Sequence, residues 1–525
     1  VTFLVHTLKS SISVFSSDLA NMDFLTYIIL GLTALLVYFW MKLLNINRHW
    51  EKHGIPGPKP LPFFGNMLPI LLGSKSAGEI LKEIYQSYPN EKVVGYYHFI
   101  QPRLLIRDRA IMERILVKDY HSFSSRLGEA DVENDPLNSN LFNMHSEVWR
   151  AFRSLMTPMF TPEKLKNMYP LMDSVGDDFI QLLKESKDPV DLLQNVNTFT
   201  IQVISSTALG IDAGPMDQKS NEFRERAINY APTGVKTFLK FGAIFLAPKL
   251  AQKFGINFTS KETTNYFSDA FKTVVNHRKS GDVVRNDLVQ QMITIQQNKS
   301  VEIGSTQVQI TDDVVAGQAL FLLFAGFVTS PLALTYMIYD LAANPEVQEK
   351  ARDEVRRVTE AVDGKWKINN GKISYETLKD MRYLEGIIKE SLRMSPTHPM
   401  IVRRCTRTYP IPEVSYTVSE GENIMVSALG IHHDSNYYSN PSQFSPERWT
   451  GDDRPPSSCY LAWGIGPKMC IGMRFASLEF KSVLAKLLLN FKISLHHSVK
   501  AQLKPAPFGI FTAPAHKILI NFEKL

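Results

Sequence analysis

Two long apolar stretches stand out against a chain that otherwise alternates helix-like and strand-like patterning. The first, FLTYIILGLTALLVYFWM from Phe24 to Met41, carries no charge. At about 1.5 Å per residue it covers roughly 27 Å, close to the hydrocarbon thickness of a bilayer. Tyr38, Phe39 and Trp40 form an aromatic cluster at its end, and Lys42, Arg48 and Lys52 follow. That order predicts a membrane anchor with the bulk of the chain on the cytoplasmic side. A cleaved signal peptide is the competing reading, against which stand the length of the run and the lack of a small-residue cleavage pattern. Met22 precedes the run, so residues 1–21 are expected to be an extension outside the natural chain. Residues 22–52 are read as anchor and basic flank. The segment His53 to Asn66 holds four prolines and reads as an extended hinge. Residues 67–525 then form the globular, catalytic part.

The second stretch runs from a capping Thr311 through DDVVAGQALFLLFAGFVTSPLALTYMIYDLAAN. It is apolar nearly all round, which predicts a helix crossing the core. Pro331 removes one of its hydrogen bonds and is expected to kink it. VVGYYHFI and RLLIRD, between Asn66 and Leu116, read as a small sheet. Thr161 and Pro162 mark the cap and first position of a helix, and Asn344 is expected to cap another beginning at Pro345. Residues 164–308 read as largely helical. Within them, Val235 to Phe258 intersperses lysines with an apolar patch, a pattern suited to dipping into a membrane surface, with core packing as the alternative. The whole is mainly α with a smaller β part.

Composition narrows the class. The chain has 525 residues, 44% of them hydrophobic and 21% charged, enough for a large core and too apolar for disorder. A net charge of +6 leaves membrane and acidic partners open. The three cysteines, Cys405, Cys459 and Cys470, show no zinc or CxxC spacing, so neither a disulfide framework nor a zinc site is expected.

Chemistry concentrates in YLAWGIGPKMCIGMRFASLEF, Tyr460 to Phe480. Cys470 precedes an amphipathic run, so it lies where a helix N-terminus favours a thiolate. Gly464, Gly466 and Gly472 flank it and remove side chains that would block a flat macrocycle. A single cysteine is more often a small core hydrophobe; the glycine setting is what distinguishes this one. Trp149 and Arg153, spaced i, i+4, share a helix face and can bind a carboxylate, although an exposed basic helix is the ordinary reading. Glu390 and Arg393, spaced i, i+3, can pair, which alone usually means a surface ion pair.

Together these segments resemble the cytochrome P450 family, in style closest to the microsomal steroid- and drug-oxidising group that includes thromboxane synthase. Trp463 and Lys468 stand where the family signature has Phe and Arg. The resemblance implies a P450 fold holding haem b between the long helix and the cysteine loop. Cys470 is then the axial ligand of the iron, with Trp463, Gly464, Lys468 and Gly472 around it. Trp149, Arg153 and Arg403 would be propionate partners, and Arg448 would join Glu390 and Arg393 in a fixed structural element. Ala325, Gly326, Thr329 and Ser330 match the family's oxygen-binding segment, Thr329 and Ser330 as catalytic residues. Val328 departs from it, standing where the family has an acid. His398, Met400 and the turn Phe508 to Phe511 fall where relatives skirt the substrate pocket.

The resemblance further implies oxygenation of a lipophilic substrate at the endoplasmic reticulum membrane. Electrons would come from NADPH through NADPH-cytochrome P450 reductase, with cytochrome b5 a second candidate and no nucleic-acid partner. Lys468, Arg474 and Lys481 are the candidate contacts for the reductase. Two other readings stay open at this point: a haem–thiolate isomerase acting on a peroxide, which Val328 favours, and a non-catalytic haem-binding ligand carrier.

Overall fold

The structure is a computed structural model. It describes residues 24–525 except 127–136, 138–139, 145, 188, 218–220, 231–239, 241, 244–253, 255–260, 281–284, 286, 298–299, 304–305, 360–372, 452–453 and 500–502. Residues 1–21 and nearly all of the Val235 to Phe258 stretch lie outside the described residues.

The two apolar stretches both form helices and have opposite fates. Helix α1 (Phe24–Asn47) leaves its side chains from Ile28 to Met41 exposed. The long helix α5 (Asp312–Ala343) is as apolar but largely buried. Between them come α2 (Ala77–Ser87), α3 (Ser146–Met156) and α4 (Leu192–Ile204). An apolar helix with no protein to bury it suits lipid, and one enclosed on all sides is a core strut. Thr311 caps α5 as its sequence predicts, its side chain accepting from Val314 N–H at 3.2 Å. The helix continues across Pro331.

Two other caps differ from expectation. The Thr161 hydroxyl donates to Pro158 C=O at 3.1 Å and makes no cap bond. Asn344 does open the next helix through its carbonyl, which accepts Gln348 N–H at 3.0 Å, but its side-chain amide turns back to Asp340 C=O at 2.8 Å and caps the end of α5 instead.

Strands β1 (Val93–His98) and β2 (Gln101–Ile106) form the expected hairpin. It joins two distant strands, β3 (Met400–Arg404) and β4 (Asn423–Ser427), in the order β1-β2-β4-β3. The proline-rich segment does not stand off as a spacer. Gly95 N–H donates to Pro56 C=O at 2.9 Å, and Trp50, 3% exposed, donates its indole N–H to Tyr96 C=O at 3.1 Å. Trp50 lies so close over Gly95 that a Cβ there would fall 2.2 Å from the ring. The segment is therefore pinned along β1.

Helix α6 (Arg382–Met394) carries the structural element expected of Glu390, Arg393 and Arg448. Arg393 forks onto Glu390 through two bonds of 2.8 and 2.9 Å, both side chains fully buried. Trp449 Nε1 donates to the same carboxylate at 2.9 Å, and Arg448 Nε approaches it at 3.4 Å. Arg393 also donates to the carbonyls of His432 and Pro441, at 2.7 and 2.8 Å.

Removing one member of a buried, hydrogen-bonded ion pair strands the other. Glu390→Ala is expected to destabilise the fold by about 3–5 kcal/mol, read as a fall in the denaturation midpoint; a loss under about 1 kcal/mol would mean the pair behaves like a surface contact.

Candidate functional site

The cysteine loop is built by three backbone constraints. Gly464 and Gly466 adopt positive φ of 72° and 74°, and a Cβ on Gly466 would fall 2.2 Å from Leu116 C=O. Cys470 N–H donates to Trp463 C=O at 2.8 Å. Helix α7 (Met473–Asn490) then begins, with Gly472 at its N-cap. The Cys470 sulfur therefore faces the backbone N–H groups of Gly472 and Met473. Burial pushes the thiol's pKa up, while those N–H groups and the Arg153 and Arg126 guanidinium groups act against that shift. The side chain is nonetheless exposed. A group ringed by protein and still accessible lines an internal cleft. Gly472 has nothing within 4 Å of where a Cβ would lie, so no protein neighbour demands glycine there.

Four cations converge beside this sulfur. Arg126 donates to Phe142 C=O at 3.0 Å and to Lys468 C=O at 3.1 Å. Lys468 sits 4.5 Å over the Trp149 ring and reaches Met144 C=O at 3.4 Å. Burial and then Arg126, Arg403 and Arg153 push Lys468 down to about 6. Arg403, on β3, is pushed down to about 9 by burial and Arg126, and burial also lowers Arg153. Among the described residues no carboxylate pairs with any of the four. Like charges do not gather in low dielectric without an anion to hold. A group bearing two carboxylates, lying against Cys470 and across Gly472, fits this donor set.

Helix α5 offers a second partly open surface. In its middle, Phe321, Phe324, Ala325, Gly326 and Thr329 are half-exposed, while Phe327, Val328 and Ser330 are buried. One face of this core helix is thus left partly open. Thr329 Oγ1 donates to Ala325 C=O at 2.7 Å, which leaves its lone pairs free to accept a hydrogen bond. Gly326 has a packing reason for its size: a Cβ there would fall 2.7 Å from Ile204 of α4. His398, exposed and edge-on to Phe511 at 4.6 Å, adds a second wall; burial and Arg126 lower it to about 4, so it is neutral.

A family sequence model for cytochrome P450 matches residues 55–522. The chain belongs to the cytochrome P450 family. Cytochrome P450 6B7 of Helicoverpa armigera is 32% identical over 504 residues, 93% of this chain and 97% of that protein. Cytochrome P450 6B1 of Papilio polyxenes is 31% identical over 516 residues, 96% of this chain and 100% of that protein. Cytochrome P450 6j1 of Blattella germanica is 32% identical over 478 residues, 89% and 92% of the two chains. The protein is thus a P450 monooxygenase, and the family's cofactor is haem b, reduced with NADPH-derived electrons through a reductase.

In this P450 the structure brings together Trp149, Arg153, Arg403, Lys468 and Cys470, with Ala325 and Thr329 on the half-exposed face of α5. Two expectations are corrected. Ser330 does not line the cleft: its hydroxyl donates to Glu479 Oε2 at 2.8 Å, both residues buried. Lys468 belongs to the cation cluster, so it is not a surface contact for a partner. A basic concavity of about 850 Å³ does exist behind the cysteine loop, lined by Lys118, Lys379, Lys389, Arg474 and Lys481 with Glu113 and Glu385. Sequence reading missed Arg126. Its only local signal was a cation in FSSRL, and its importance arises from Lys468, which is 342 residues away.

Burial raises Glu479 from 4.5 to about 8, with the Ser330 hydrogen bond opposing. The folded state keeps a proton that the unfolded chain releases, so stability falls as pH rises across that window. Glu479→Gln should therefore flatten the fall in melting temperature between pH 5 and pH 8. Asp340, pushed up to about 7 by burial, preserves a remainder of it. A wild-type slope in the variant would show that Glu479 ionises freely.

Proposed function

We propose that Cys470 is the thiolate ligand of the haem iron and that Arg126, Arg153, Arg403 and Lys468 hold its propionates. The observation that carries this reading is four basic side chains, Arg403 and Lys468 buried and Arg126 and Arg153 half-buried, with no carboxylate among the described residues paired to them, beside an accessible thiol. Ala325 and Gly472 are the small residues against the macrocycle, while Trp463, stacked on Phe480 at 6.4 Å, and Gly464 shape the loop. When bound, the haem supplies reductive activation of O₂ and transfer of one oxygen atom into a C–H bond. The protein's share is positional. Cys470 is held for ligation by Gly472 and Met473 N–H, the α5 face and the His398–Phe511 wall keep the substrate in an apolar cleft, and Thr329 Oγ1 accepts and passes a proton-bearing hydrogen bond. Val328 supplies no acid beside it.

The substrate is a lipophilic small molecule. Electrons reach the site from NADPH-cytochrome P450 reductase seated on the basic concavity, where Arg474 and Lys481 remain candidate contacts and cytochrome b5 a second partner. Helix α1 anchors the protein in the endoplasmic reticulum membrane with residues 67–525 on the cytoplasmic side, in keeping with its exposed apolar surface.

The test is the carbon monoxide difference spectrum of the reduced protein, followed by NADPH consumption with the reductase. Cys470→Ala should abolish the thiolate-type band; retention of that band in the variant would mean the ligand has been misassigned. Thr329→Ala should divert NADPH electrons from product to peroxide by several-fold, with Thr329→Ser close to wild type. Equal product-to-peroxide ratios in all three proteins would remove Thr329 from proton handling.

A further inference from the structure

Behind the cysteine loop, two helices turn matching faces to one hollow. Arg474, Ser477, Leu478 and Lys481 recur at i, i+3, i+4 and i+7 on α7, and Glu385, Ile388 and Lys389 at i, i+3 and i+4 on α6. Each set therefore lies on one side of its helix. Both sets line the concavity of about 850 Å³, a size usual for a small-molecule site. Its floor is apolar: Leu165, Leu378, Ile388 and Leu478 are buried, and Tyr460 and Trp463 add half-buried ring surface.

The charges around this hollow are unequally satisfied. Burial acts to raise Glu385, yet Lys389 at 2.7 Å and Lys481 at 2.9 Å hold it down to about 2, so its carboxylate is spent on two lysines. Lys379 pairs with Glu376 at 2.6 Å, and Glu113 with Arg109 at 3.4 Å. Lys118 and Arg474 are left over, both exposed, and among the described residues no carboxylate pairs with either. A surface cation by itself is ordinarily a solvated one. Two unspent cations around an apolar hollow are a different arrangement, because a ligand can bury its body there and keep its charge at the rim.

We propose that this concavity binds a small amphiphilic anion, an aromatic or polycyclic body bearing one sulfonate, sulfate or carboxylate, with the body on Trp463 and Leu478 and the head on Arg474 and Lys118. The planar fork of an arginine matches such a head, and a lysine adds a point charge. Both acids that line the hollow are already paired, so neither is free to repel it. The seat proposed above for the reductase is the same concavity, so the bound anion competes with electron delivery. That consequence rests on the function proposed above; the binding does not.

The probe is 1-pyrenesulfonate, titrated by its fluorescence into full-length, haem-loaded protein with 1-phenylimidazole present to fill the substrate cleft. It is expected to bind about ten-fold more tightly than 1-pyrenemethanol, which has the body without the charge. Methanesulfonate, which has the charge without the body, should not displace it. Arg474→Gln and Lys118→Gln should each weaken it several-fold, and Ser477→Trp, which fills the hollow, should abolish saturable binding. The two rim changes fall on exposed side chains, so they read the site even where the tryptophan variant fails to fold. Probe binding unmoved by both rim changes overturns the proposal, and so does equal affinity for 1-pyrenemethanol or displacement by methanesulfonate. Displacement by phosphatidylserine vesicles assigns the hollow to a lipid headgroup and overturns it too. Added reductase should weaken the probe's apparent affinity. A probe that reductase leaves in place sinks the reductase seat and not the anion site, and a carbon monoxide spectrum without the thiolate band sinks the haem–thiolate assignment while the titration stands.

Discussion

The position of Cys470 depends on one buried carboxylate eighty residues earlier in the chain, Glu390. Its bidentate hold on Arg393 frees that guanidinium's other edge to grip His432 C=O at 2.7 Å. His432 in turn places Nδ1 3.0 Å from Arg393 C=O and accepts Leu461 N–H on Nε2 at 2.8 Å. Burial lowers the ring to about 3, so it is neutral, and those two contacts specify the tautomer with the proton on Nδ1. Leu461 C=O receives Gly464 N–H at 2.9 Å, and Trp463 C=O receives Cys470 N–H. The loop that presents the thiol is thus hung, bond by bond, from a core ion pair. A ligand loop needs such support, because a loop without it leaves its reacting atom poorly placed.

The cation cluster makes a different demand. Arg126, Arg153, Arg403 and Lys468 come from four separate segments, so no local preference assembles them; they are brought together by the fold and repel one another once there. Trp149 eases part of this by lying under Lys468, as a ring face attracts a cation. Four carbonyls, of Phe142, Met144, Val402 and Lys468, take some of the donors. What is left is a concentration of basic donors that suits a dianion. Anion binding and apoprotein stability are opposed here, since every cation that strengthens the first weakens the second.

What could be read from the sequence was what the chain carries locally. Thr311 and the apolar run after it predicted α5 because a cap and a periodicity are written within a few turns. VVGYYHFI predicted β1 because alternation is local too. Glu390 and Arg393 are one helical turn apart, and the Cys470 loop announces itself through glycines that its own dihedrals require. What could not be read was whatever depends on a distant partner. Arg126 is meaningless until Lys468 is beside it. Gly326 resembles an oxygen-binding position until Ile204 is found against it, and Pro56 and Gly95 show a proline-rich segment fastened to the sheet only once both are placed.

The segment from Val328 to Ser330 shows why a motif read as a string can mislead. Successive residues on a helix turn by about 100°, so three in a row cannot face one cleft. Thr329 takes the open face, Val328 points into the core, and Ser330 points towards α7, where it bonds Glu479. The family pattern at this place is therefore two functions overlaid on one sequence: a cleft-facing hydroxyl, and a buried hydroxyl that ties α5 to the helix following the cysteine. Through that second contact the wall above the cleft and the helix behind the thiol are fixed to each other. Replacing the acid by Val328 leaves this tie intact and removes only a proton carrier, which is why the departure bears on proton delivery and not on the geometry of the site.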